Sequence, residues 1–526
     1  MVVVMPGRAV EHANVERYAG FSTGAPGFIA GHGLWKEAQR EAAAELDDLL
    51  DGLDLVRVVY GDPHGLVRSK TLTVPAFRTV LHNGMDASPG PFVFDTGHAV
   101  AIDFFTPGAG IGIDELTGAG DFILVPDPLT FRVLPHQEAK VGWVIADEYL
   151  RDGTPHPLSS RAVLKRQVER LTARSLDLVV GLEIEWTLTR FLSDGRPEGV
   201  GGFGVQGEPP AVEPVNTGYQ FNLDLYADQL LPVIAPLARA YQDVGLPLRT
   251  IEHESGPGQL ECTFSPMSAL AAADAVLLVR SLTKQICARL GHHASFMALP
   301  SLSGLDPSGW HLHQSLYDLD RSRNAFAAEP AAGGAAAPAT GAPPLSPTGI
   351  HYLGGLLESA AEVSLLCVPT VNGYRRLADR FSLSPDRVVW TVENRGSFLR
   401  VLGGAGDAAS HVENRIGEPC ANPYLYIAGQ VAAGYNGVER AADPGAASAD
   451  PHTPDARRLP ASLAEAIEAF EMSDLCRRTL GEPLWRAIAL LKRSEWTRYQ
   501  KWVAESGVDQ AAGVTAWEQR EYFEIY

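Results

Sequence analysis

The sequence predicts an α+β protein with a small N-terminal domain and a larger second domain. The first quarter of the chain contains one helical segment, residues 34–50, followed by short alternating segments that predict strands at 55–60 and 66–74. A helix flanked by short strands indicates a small α+β domain. The rest of the chain contains longer amphipathic helical segments with strand-like segments between them.

The predicted N-terminal domain covers residues 31–128 and follows a loosely ordered segment at 1–30. Its first two strands are joined by a turn at Asp62-Pro63-His64-Gly65, because aspartate, proline and glycine favour turn geometry. Further short strands are expected at 100–105 and 122–125, on either side of a glycine-rich segment.

The predicted larger domain covers residues 129–526. Its first helix, capped by Ser159 or Ser160, leads into an apolar strand at 176–188. Residues 327–347 are rich in alanine, glycine and proline, so they predict a flexible surface insertion. The other elements expected here are helices at 224–244, 269–290, 349–366, 423–438, 462–470 and 482–505, and strands at 248–253, 259–264, 388–392 and 398–401.

The composition excludes several classes of protein. The 526 residues carry a formal net charge of −20, which disfavours generic binding to nucleic acid or to an anionic membrane. No apolar stretch is long enough to span a bilayer. The five cysteines are scattered and form no Cys-x-x-Cys pair, a pattern that fits a reducing compartment. These features predict a cytoplasmic protein.

Two carboxylates stand one residue apart inside the apolar strand predicted at 176–188. Glu183 and Glu185 are at positions i and i+2, so their side chains project from the same face of the strand. Two like charges side by side in a core are costly unless a cation neutralises them. A solvated strand edge or a pair of arginines would also account for the two acids, but apolar neighbours on both sides favour a divalent metal ion.

Other segments of the larger domain carry further candidate metal ligands. Glu254 and Glu261 stand at the ends of a Gly-Pro-Gly turn, which can bring both acids to one centre. His311 and His313 are again at i and i+2, and Glu413 supplies a fifth acid. A lone histidine is more often a core or surface residue than a ligand, but a His-x-His pair in a chain with acid pairs favours metal binding. Such a site suits Mg²⁺ or Mn²⁺ better than zinc, because hard cations prefer oxygen ligands.

Arginines cluster in the same part of the chain. They are Arg375, Arg376, Arg395, Arg400 and Arg415. Guanidinium groups bind carboxylate and phosphate in bidentate fashion, although most arginines are solvated surface charges. Acids that bind metal and arginines that bind phosphate together indicate metal-assisted phosphoryl transfer. The sequence contains no Gly-x-x-x-x-Gly-Lys-Ser/Thr loop and no kinase signature.

Six motifs in this order resemble those of the glutamine synthetase family. They are Gly-Leu-Glu183-Ile-Glu185, Glu254-Ser-Gly-Pro-Gly-Gln-Leu-Glu261, Gly309-Trp-His311-Leu-His313-Gln-Ser-Leu, Pro369-Thr-Val-Asn-Gly-Tyr-Arg-Arg376-Leu, Glu393-Asn-Arg395-Gly-Ser-Phe-Leu-Arg400, and Glu413-Asn-Arg415 with Asn422-Pro-Tyr-Leu. The resemblance implies a β-grasp N-terminal domain and a catalytic domain whose antiparallel strands, flanked by helices, form a funnel-shaped site. It also implies a homo-oligomer, commonly a double hexameric ring, with each site shared between neighbouring subunits.

The resemblance implies a role for each matching residue. It implies two or more Mg²⁺ or Mn²⁺ ions per site, the first held by Glu185, Glu254 and Glu261 and the second, near the ATP phosphates, by Glu183, His311 and Glu413. ATP as a substrate is expected at His313, Ser315, Arg395 and Arg400, and glutamate at Glu185, Asp306, Arg376 and Arg415. The catalytic residues implied are Asp62, which helps to deprotonate the amine of the neighbouring subunit's site, and Arg395, which offsets charge during phosphoryl transfer. The amine pocket is expected to contain Asp62, Tyr219, Trp310 and Phe381.

The implied reaction forms γ-glutamyl phosphate from glutamate and ATP, after which an amine displaces phosphate and an amide results. In glutamine synthetase proper, a glutamate on a flap closes the site, whereas Phe381-Ser382 stands here at the expected position. This pattern resembles the branch that makes γ-glutamyl amides from organic amines, such as the γ-glutamylpolyamine synthetases. The segment before His311 also differs, with Asp306-Pro307 in place of Asn-Gly and Trp310 in place of Met.

The leading hypothesis is therefore an ATP-dependent carbon–nitrogen ligase that joins glutamate to a small organic amine. Two alternatives stay open: a glutamine synthetase that uses ammonium, and a ring-forming homologue without activity. All six predicted metal-ligand positions hold residues that bind metals, which disfavours the second alternative. The aromatic residues expected near the amine favour an apolar or aromatic amine over a polyamine.

Overall fold

The computed structural model of the chain describes residues 26–192, 199–329, 345–378, 383–510 and 513–526. Of the segment expected to be loosely ordered, residues 26–30 are described, and they include the start of a short helix, α1 (Phe28–Gly31). The insertion predicted at 327–347 lies for its greater part outside the described residues. No described helix is long and apolar enough to cross a membrane.

A six-stranded sheet forms the N-terminal part of the fold. Its strands are β1 (Leu55–Gly61), β2 (Val67–Thr73), β3 (Met85–Ala87), β4 (Phe122–Pro126), β5 (Arg132–Val133) and β6 (Val141–Tyr149). They are in the order β2-β1-β6-β4-β3, with β5 beside β6, and the β1–β6 pair is parallel while the other pairs are antiparallel. Helix α2 (Glu37–Leu50) precedes the sheet, and α3 (Val74–Asn83) packs on β1, β2 and β4.

The sheet differs from the sequence prediction in several features, and the short strands β3 and β5 were not predicted. Residues 100–105, expected to form a strand, form bends and turns. The side chains of Asp95 and Asp103 accept hydrogen bonds from backbone N–H groups two residues further on, a local alternative to strand pairing. Strand β6 was not predicted, and it continues the sheet past the predicted domain boundary at residue 128. The pairing of β6 with β1 and β4 favours a boundary after Tyr149.

A second sheet of ten strands forms the larger part of the fold, with β7 (Leu176–Phe191) at its centre. The other strands are β8 (Val212–Pro214), β9 (Leu248–His253), β10 (Gln259–Phe264), β11 (Met267–Ser268), β12 (His292–Ser295), β13 (Trp310–Asp318), β14 (Trp390–Val392), β15 (Leu399–Leu402) and β16 (His411–Asn414). The order is β14-β15-β16-β13-β7-β10-β9, and β8, β11 and β12 also pair with β7. All of these pairs are antiparallel except β14–β15 among the described residues, so the expected α+β fold with an antiparallel sheet is confirmed.

Helices follow and separate the strands of the second sheet. They are α5 (Ser160–Thr172), α6 (Asp224–Asp243), α7 (Ala269–Arg289), α8 (Pro347–Glu358), α9 (Ala360–Cys367), α10 (Pro423–Arg440), α11 (Leu463–Glu471), α12 (Asp474–Leu480), α13 (Glu482–Ser506) and α14 (Ala516–Tyr522), and the short α4 (Gly90–Val93) lies in the N-terminal part. The segment expected to form one helix at 349–366 forms α8 and α9, which meet where the backbone of Ser359 leaves helical geometry. Helix α10 packs against α5, α7 and α8.

Strand β7 has an apolar face and a polar face. The side chains of Val180, Leu182, Ile184, Trp186 and Leu188 are at most 1% exposed, and the strand packs against α5 and α7. Full burial of such a side chain contributes about 1.5–3 kcal/mol. A slip of one residue would turn this whole set to the other face, so burial fixes the register. The opposite face, which carries Glu183 and Glu185, is thereby directed away from the helices.

Arg161 in α5 connects the two sheets. Its buried guanidinium forms ion pairs with Asp127, Asp147 and Asp274, at 2.9, 2.7 and 2.8 Å. Asp147 lies on β6 of the first sheet, and Asp274 lies on α7 behind the second. Lys165 adds a second cation to Asp147 at 2.5 Å. The junction therefore depends on two cations shared by three buried carboxylates.

Replacing Arg161 with methionine is expected to lower the free energy of unfolding by about 3–5 kcal/mol, because the aspartates lose their shared counter-ion while staying buried. Urea unfolding measures the change. Arg170→Met is the matched control, since Arg170 lies in the same helix and forms a half-exposed pair with Glu439, for which a loss under about 1 kcal/mol is expected. Equal losses for the two variants would contradict the role assigned to Arg161.

Candidate active site

The polar face of the second sheet brings acids from three strands into one row. Residues directly opposite each other in an antiparallel pair have neighbouring side chains. Glu261 on β10 is opposite Glu185 on β7 and is also opposite Glu252 on β9. Glu254 follows β9 directly, so the Gly-Pro-Gly turn returns the chain to the same row, as the sequence predicts. The register therefore collects four carboxylates at one end of the polar face.

A second group, of histidines and an acid, lies beside this row. His311 on β13 is opposite Glu183 on β7, and His313 is opposite both Gly181 on β7 and Glu413 on β16. One oxygen of Glu183, Oε1, is 2.5 Å from Nδ1 of His311, and the other, Oε2, is 3.0 Å from Nε2 of His313. Burial opposes ionisation of Glu183, but the two histidines outweigh it and hold the pKa of Glu183 well below its usual range.

In the row of glutamates the pKa values are raised, in contrast to the lowered pKa of Glu183. Burial, followed by the charge of Glu254, raises the pKa of Glu185 to about 8. Burial and Glu252 raise the pKa of Glu254 to about 7. Burial, then Glu183 and Glu185, raises the pKa of Glu261 to about 10. A divalent cation would favour the ionised forms of all three, so this donor set fits a metal ion.

The ligand atoms of these residues lie close enough to share cations. Three sets of candidate ligands have all their atoms within 4.8 Å of one another: Glu183, Glu261 and His311; Glu183, His313 and Glu413; and Glu252, Glu254 and Glu261. Oxygen-rich sets of this kind suit hard cations. Glu185 is outside these sets and accepts hydrogen bonds from the N–H of Gly309 at 3.0 Å and from Nε2 of Gln259 at 2.9 Å. The division of the ligands between a first and a second metal stays a prediction.

Two of the predicted arginines hold Glu413. Nη1 of Arg400 donates to Oε2 of Glu413 at 3.1 Å, and Nη1 of Arg415 donates to Oε1 of the same residue. Burial opposes ionisation of Glu413, but Arg415, His311 and His313 outweigh it, so its pKa is lowered. Arg395, in contrast, is exposed, and its carbonyl accepts a hydrogen bond from Arg415. Arg395 is thus accessible for a ligand's phosphate.

Arg376 is buried at the centre of the site. Its side chain is 2% exposed, and Nη1 donates to the carbonyl groups of Ile416 and Gly417, both at 2.9 Å. A Cβ added to Gly309 would stand 2.7 Å from Nη2 of Arg376 and 2.9 Å from Nε2 of His311. The glycine therefore allows the guanidinium to lie against the backbone beside Glu185. Its expected contact with substrate glutamate stays a prediction.

A cavity of about 400 Å³ opens beside the histidines. Glu183, His313 and Ser315 line one wall, and Arg249, Tyr317 and His411 line others. Because β13 alternates, Ser315 lies on the same face as His311 and His313. This position supports the predicted ATP contacts of His313 and Ser315.

Residues 157–510 match the glutamine synthetase catalytic domain. The chain belongs to the glutamine synthetase family. It is 40% identical over 508 residues to the γ-glutamylanilide synthase of Acinetobacter sp, a match that covers 95% of this chain and 99% of that protein. It is 31% identical over 411 residues to the γ-glutamylethanolamide synthetase of Streptomyces coelicolor, covering 77% and 80%. The solved structure of apo GmaS superposes with a TM-score of 0.70 at 26% identity and covers 91% of this chain and 98% of that one.

The family predicted from the six motifs is confirmed, and so is the branch of amide synthetases within it. The glutamine synthetase family uses ATP and a divalent metal. The fit between the acid cluster and a cation agrees with that requirement.

One residue predicted for the amine pocket, Trp310, lies elsewhere in the structure. Trp310 is fully buried on the opposite face of β13, where its ring packs edge-on against Tyr426 and under the guanidinium of Arg280. Strand alternation explains this, because residues adjacent to His311 must point away from the site. The prediction for Trp310 is therefore wrong, and Phe381 lies outside the described residues.

Asp62 also departs from its predicted role as a base in a neighbouring subunit's site. It is 0% exposed, and its carboxylate accepts hydrogen bonds from the N–H groups of His64 and Leu66 and pairs with Arg68 at 2.7 Å. The side chain of Asn422 donates to the carbonyl of Asp62, which holds the turn against the larger domain. The carboxylate of Asp62 is fully buried and its oxygens are bonded to the β1–β2 turn and to Arg68, so a substrate cannot contact it. The structure therefore does not support the predicted role.

Tyr219 and Asp306 remain as a pair at the edge of the acid row. The Tyr219 side chain is 57% exposed, and burial and Asp306 together raise its pKa. Its backbone has φ 57°, which is uncommon outside glycine. A Cβ added to Gly256 would stand 2.9 Å from the backbone nitrogen of Asp306, so Asp306 lies directly against the Gly-Pro-Gly turn. This placement supports the prediction that Tyr219 lines the amine pocket. It also puts Asp306 near Glu254, which begins the turn segment.

The sequence prediction missed Glu252, Glu393 and His411. Glu252 repeats with Glu254 the i, i+2 spacing of Glu183 and Glu185, so the signal was present in the sequence. Glu393 accepts a hydrogen bond from Nη2 of Arg400 at 2.8 Å, a contact between strand ends that spacing does not predict. His411 lies 3.0 Å from His313 because β16 pairs with β13.

Binding of Mn²⁺ to the nucleotide-free protein is expected to release about one to two protons per subunit at pH 7.5, because protonated carboxylic acids must ionise before they bind a metal. The raised pKa values of Glu185, about 8, and Glu261, about 10, give the sign: metal affinity rises as the pH increases through this range. Calorimetry in two buffers of different ionisation enthalpy counts the protons. Glu261→Gln is expected to release about one proton fewer. Proton uptake, or equal release by the two proteins, would contradict the electrostatics described for the row.

Proposed function

We propose that this protein is an ATP-dependent ligase that joins the γ-carboxylate of glutamate to an organic amine and releases ADP and phosphate. The observation that carries the proposal is the row of crowded glutamates beside a cavity with two histidines and a serine in its wall. The expected reaction class, a glutamate–amine ligase, is confirmed by the amide synthetases to which the chain is similar.

The first step transfers the γ-phosphoryl group of ATP. An oxygen of the glutamate γ-carboxylate attacks the γ-phosphorus, the bond to the β,γ-bridging oxygen breaks, and γ-glutamyl phosphate and ADP result. Both reactants are anions, so repulsion opposes their approach. Mg²⁺ or Mn²⁺ ions held by Glu183, Glu185, Glu254, Glu261, His311 and Glu413 would offset that charge when bound. We assign Arg395, an exposed residue, to bind phosphate oxygens during this step.

The second step forms the amide. The amine nitrogen attacks the carbonyl carbon of γ-glutamyl phosphate, the bond from this carbon to the phosphate oxygen breaks, and the nitrogen loses one proton. Asp62 is buried in its own ion pair. Asp306, which lies against the Gly-Pro-Gly turn and acts on the pKa of Tyr219, is the carboxylate we assign to accept the proton.

The acceptor proposed here is an aromatic amine. Three features support it: the similarity to a γ-glutamylanilide synthase, the exposed rings of Tyr219 and Phe221, and the Phe381-Ser382 pair where a glutamate is expected. An arylamine is neutral at pH 7, because delocalisation of its lone pair makes it a weak base. It therefore needs no general base to remove a proton before it attacks, in contrast to ammonium.

The protein is further proposed to assemble into rings with shared sites, as the family resemblance implies. Large apolar side chains that are exposed in the single chain support an interface, for example Phe105, Phe203 and Phe221 at 76, 77 and 61% exposure. Sedimentation velocity of the purified protein tests this, and a monomer at micromolar concentration would contradict it.

The test of the function is ADP release with glutamate, Mg²⁺ and a panel of acceptors that contains aniline, methylamine, ethanolamine, putrescine and ammonium. We expect the highest kcat/KM for aniline, with the γ-glutamyl amide identified by mass spectrometry. If ammonium exceeds every organic amine, the protein is a glutamine synthetase. Absence of ATP binding in the presence of Mg²⁺ would indicate a homologue without activity.

Glu185→Ala is expected to lower kcat by at least about a hundredfold, because the change removes one carboxylate of the metal-binding row. Glu213→Ala is the matched control, since Glu213 lies on β8, which also pairs with β7, and forms a surface ion pair with Arg190. That variant is expected to keep the activity of the parent protein. Retained activity in Glu185→Ala would show that Glu185 does not serve the reaction.

A further inference from the structure

A chain of hydrogen-bonding groups leads from a backbone carbonyl to Glu183 through two histidines. Nδ1 of His411 is 2.6 Å from the carbonyl oxygen of Ala409, and Nε2 of His411 is 3.0 Å from Nδ1 of His313. Nε2 of His313 is in turn 3.0 Å from Oε2 of Glu183. The two imidazole rings are tilted by 60° with centroids 5.1 Å apart, so they meet through their nitrogens rather than by stacking.

The carbonyl group at the start of this chain fixes the protons along it. A carbonyl oxygen only accepts hydrogen bonds, so Nδ1 of His411 carries the proton and Nε2 of His411 has a free lone pair. Nδ1 of His313 must then donate to that lone pair. Nε2 is therefore the nitrogen of His313 that faces Glu183, as a donor to its carboxylate without a cation and as a ligand when a cation binds between them.

Nε2 of His313 and Oε2 of Glu183 are spaced as two neighbouring ligands of one cation. Ligand atoms in adjacent positions of an octahedral Mg²⁺ site, with bonds of about 2.1 Å, are about 3 Å apart. The observed separation is 3.0 Å. Glu183, His313 and Glu413 form one of the sets whose ligand atoms all lie within 4.8 Å of one another.

We propose that His411 is a positioning residue that sets the tautomer and orientation of His313, so that Nε2 of His313 binds a divalent cation together with Glu183. This inference deepens the proposed function, on which it rests. It gives His313 a role in metal binding, which the His-x-His pair suggested, beside the ATP contact that the family resemblance implied. Metal-binding histidines generally donate their second nitrogen's proton to an oriented partner, and His411 is that partner here.

Two further observations support a fixed ring. Gly181 lies opposite His313 on β7, and a Cβ at that position would stand 3.1 Å from the Cβ of His313. The absence of a side chain on Gly181 thus allows the close approach of β7 to His313. His411 and Glu413 are at i and i+2 on β16, so one short strand supplies both the positioning residue and an acid of the same set.

The test measures Mn²⁺ binding to the nucleotide-free protein by electron paramagnetic resonance of the free ion. His411→Leu removes the nitrogen that accepts the hydrogen bond from Nδ1 of His313. It is expected to weaken one class of Mn²⁺ site by about 10–100-fold while the other sites keep their affinity. His411→Gln keeps an acceptor oxygen and is expected to stay close to the parent protein. His411→Ala, which adds no bulk, replaces the leucine variant if that variant does not fold.

His292→Leu is the matched control. Nδ1 of His292 also faces a carbonyl oxygen two residues earlier, that of Leu290 at 2.8 Å, but its strand β12 pairs with the end of β7 beyond the acids. This variant is expected to bind Mn²⁺ like the parent protein. The double variant His411→Leu with His313→Ala is expected to bind no more weakly than His313→Ala alone, because His411 acts through His313.

Several outcomes would overturn the inference. Unchanged Mn²⁺ binding in His411→Leu would do so, as would equal losses in His411→Leu and His411→Gln. A loss of nucleotide affinity with unchanged Mn²⁺ binding would make His411 a nucleotide contact instead. None of these measurements depends on the amine, so failure of the ligase assay with every acceptor would be a separate result that leaves the Mn²⁺ readout in place.

Discussion

Repulsion between carboxylates on one face of a buried strand is the interaction on which this structure depends most. Glu183 and Glu185 project together because β7 alternates, and the apolar residues between them fix that alternation by packing against helices. The neighbouring strands then add Glu252, Glu261 and Glu413 on the same face through their register. A protein core does not tolerate such a cluster of ionised acids, so the fold creates a requirement that a bound cation, a basic side chain or protonation of the acids must meet.

The two ends of the cluster meet this requirement differently. At one end, Arg400 and Arg415 bind Glu413, and His311 and His313 bind Glu183, so the pKa values of both glutamates are lowered. At the other end the raised pKa values of Glu254 and Glu261 report acids without sufficient positive charge. The first end is therefore preorganised by protein groups, and the second gains most from an external cation. This asymmetry fits a reaction in which one end faces a triphosphate and the other faces glutamate and an amine.

Much of this site was predictable because it lies on strands. Alternation alone placed Glu183 beside Glu185 and His311 beside His313, and the same rule applied to Glu252 and Glu254 would have found the missed acid. It would also have excluded Trp310, whose neighbours His311 and Gly309 belong to the site. Contacts across strands are a different matter, because the pairing of β16 with β13 brings His411 to His313 over 98 residues of chain and no local pattern encodes it. Strand β6 was missed although residues 141–146 form an apolar run, and the two acids that follow, Asp147 and Glu148, are buried against Arg161 in α5 and Ser159 at its N-cap.

The amine side of the site is built by loops, and this is where the chain departs from the family resemblance. Tyr219 owes its position to an uncommon backbone conformation rather than to strand register, and Asp306 owes its position to contact with the Gly-Pro-Gly turn. Asp62, expected here as a base, is instead held by Arg68 and by the backbone of its own turn. Under the proposed function, the exposed ring of Tyr219 suits an acceptor that bears an aryl group, whereas ammonium must lose a proton before it can attack. An arylamine is already neutral at pH 7, so under the proposed function its charge as well as its ring separates it from ammonium and the alkylamines.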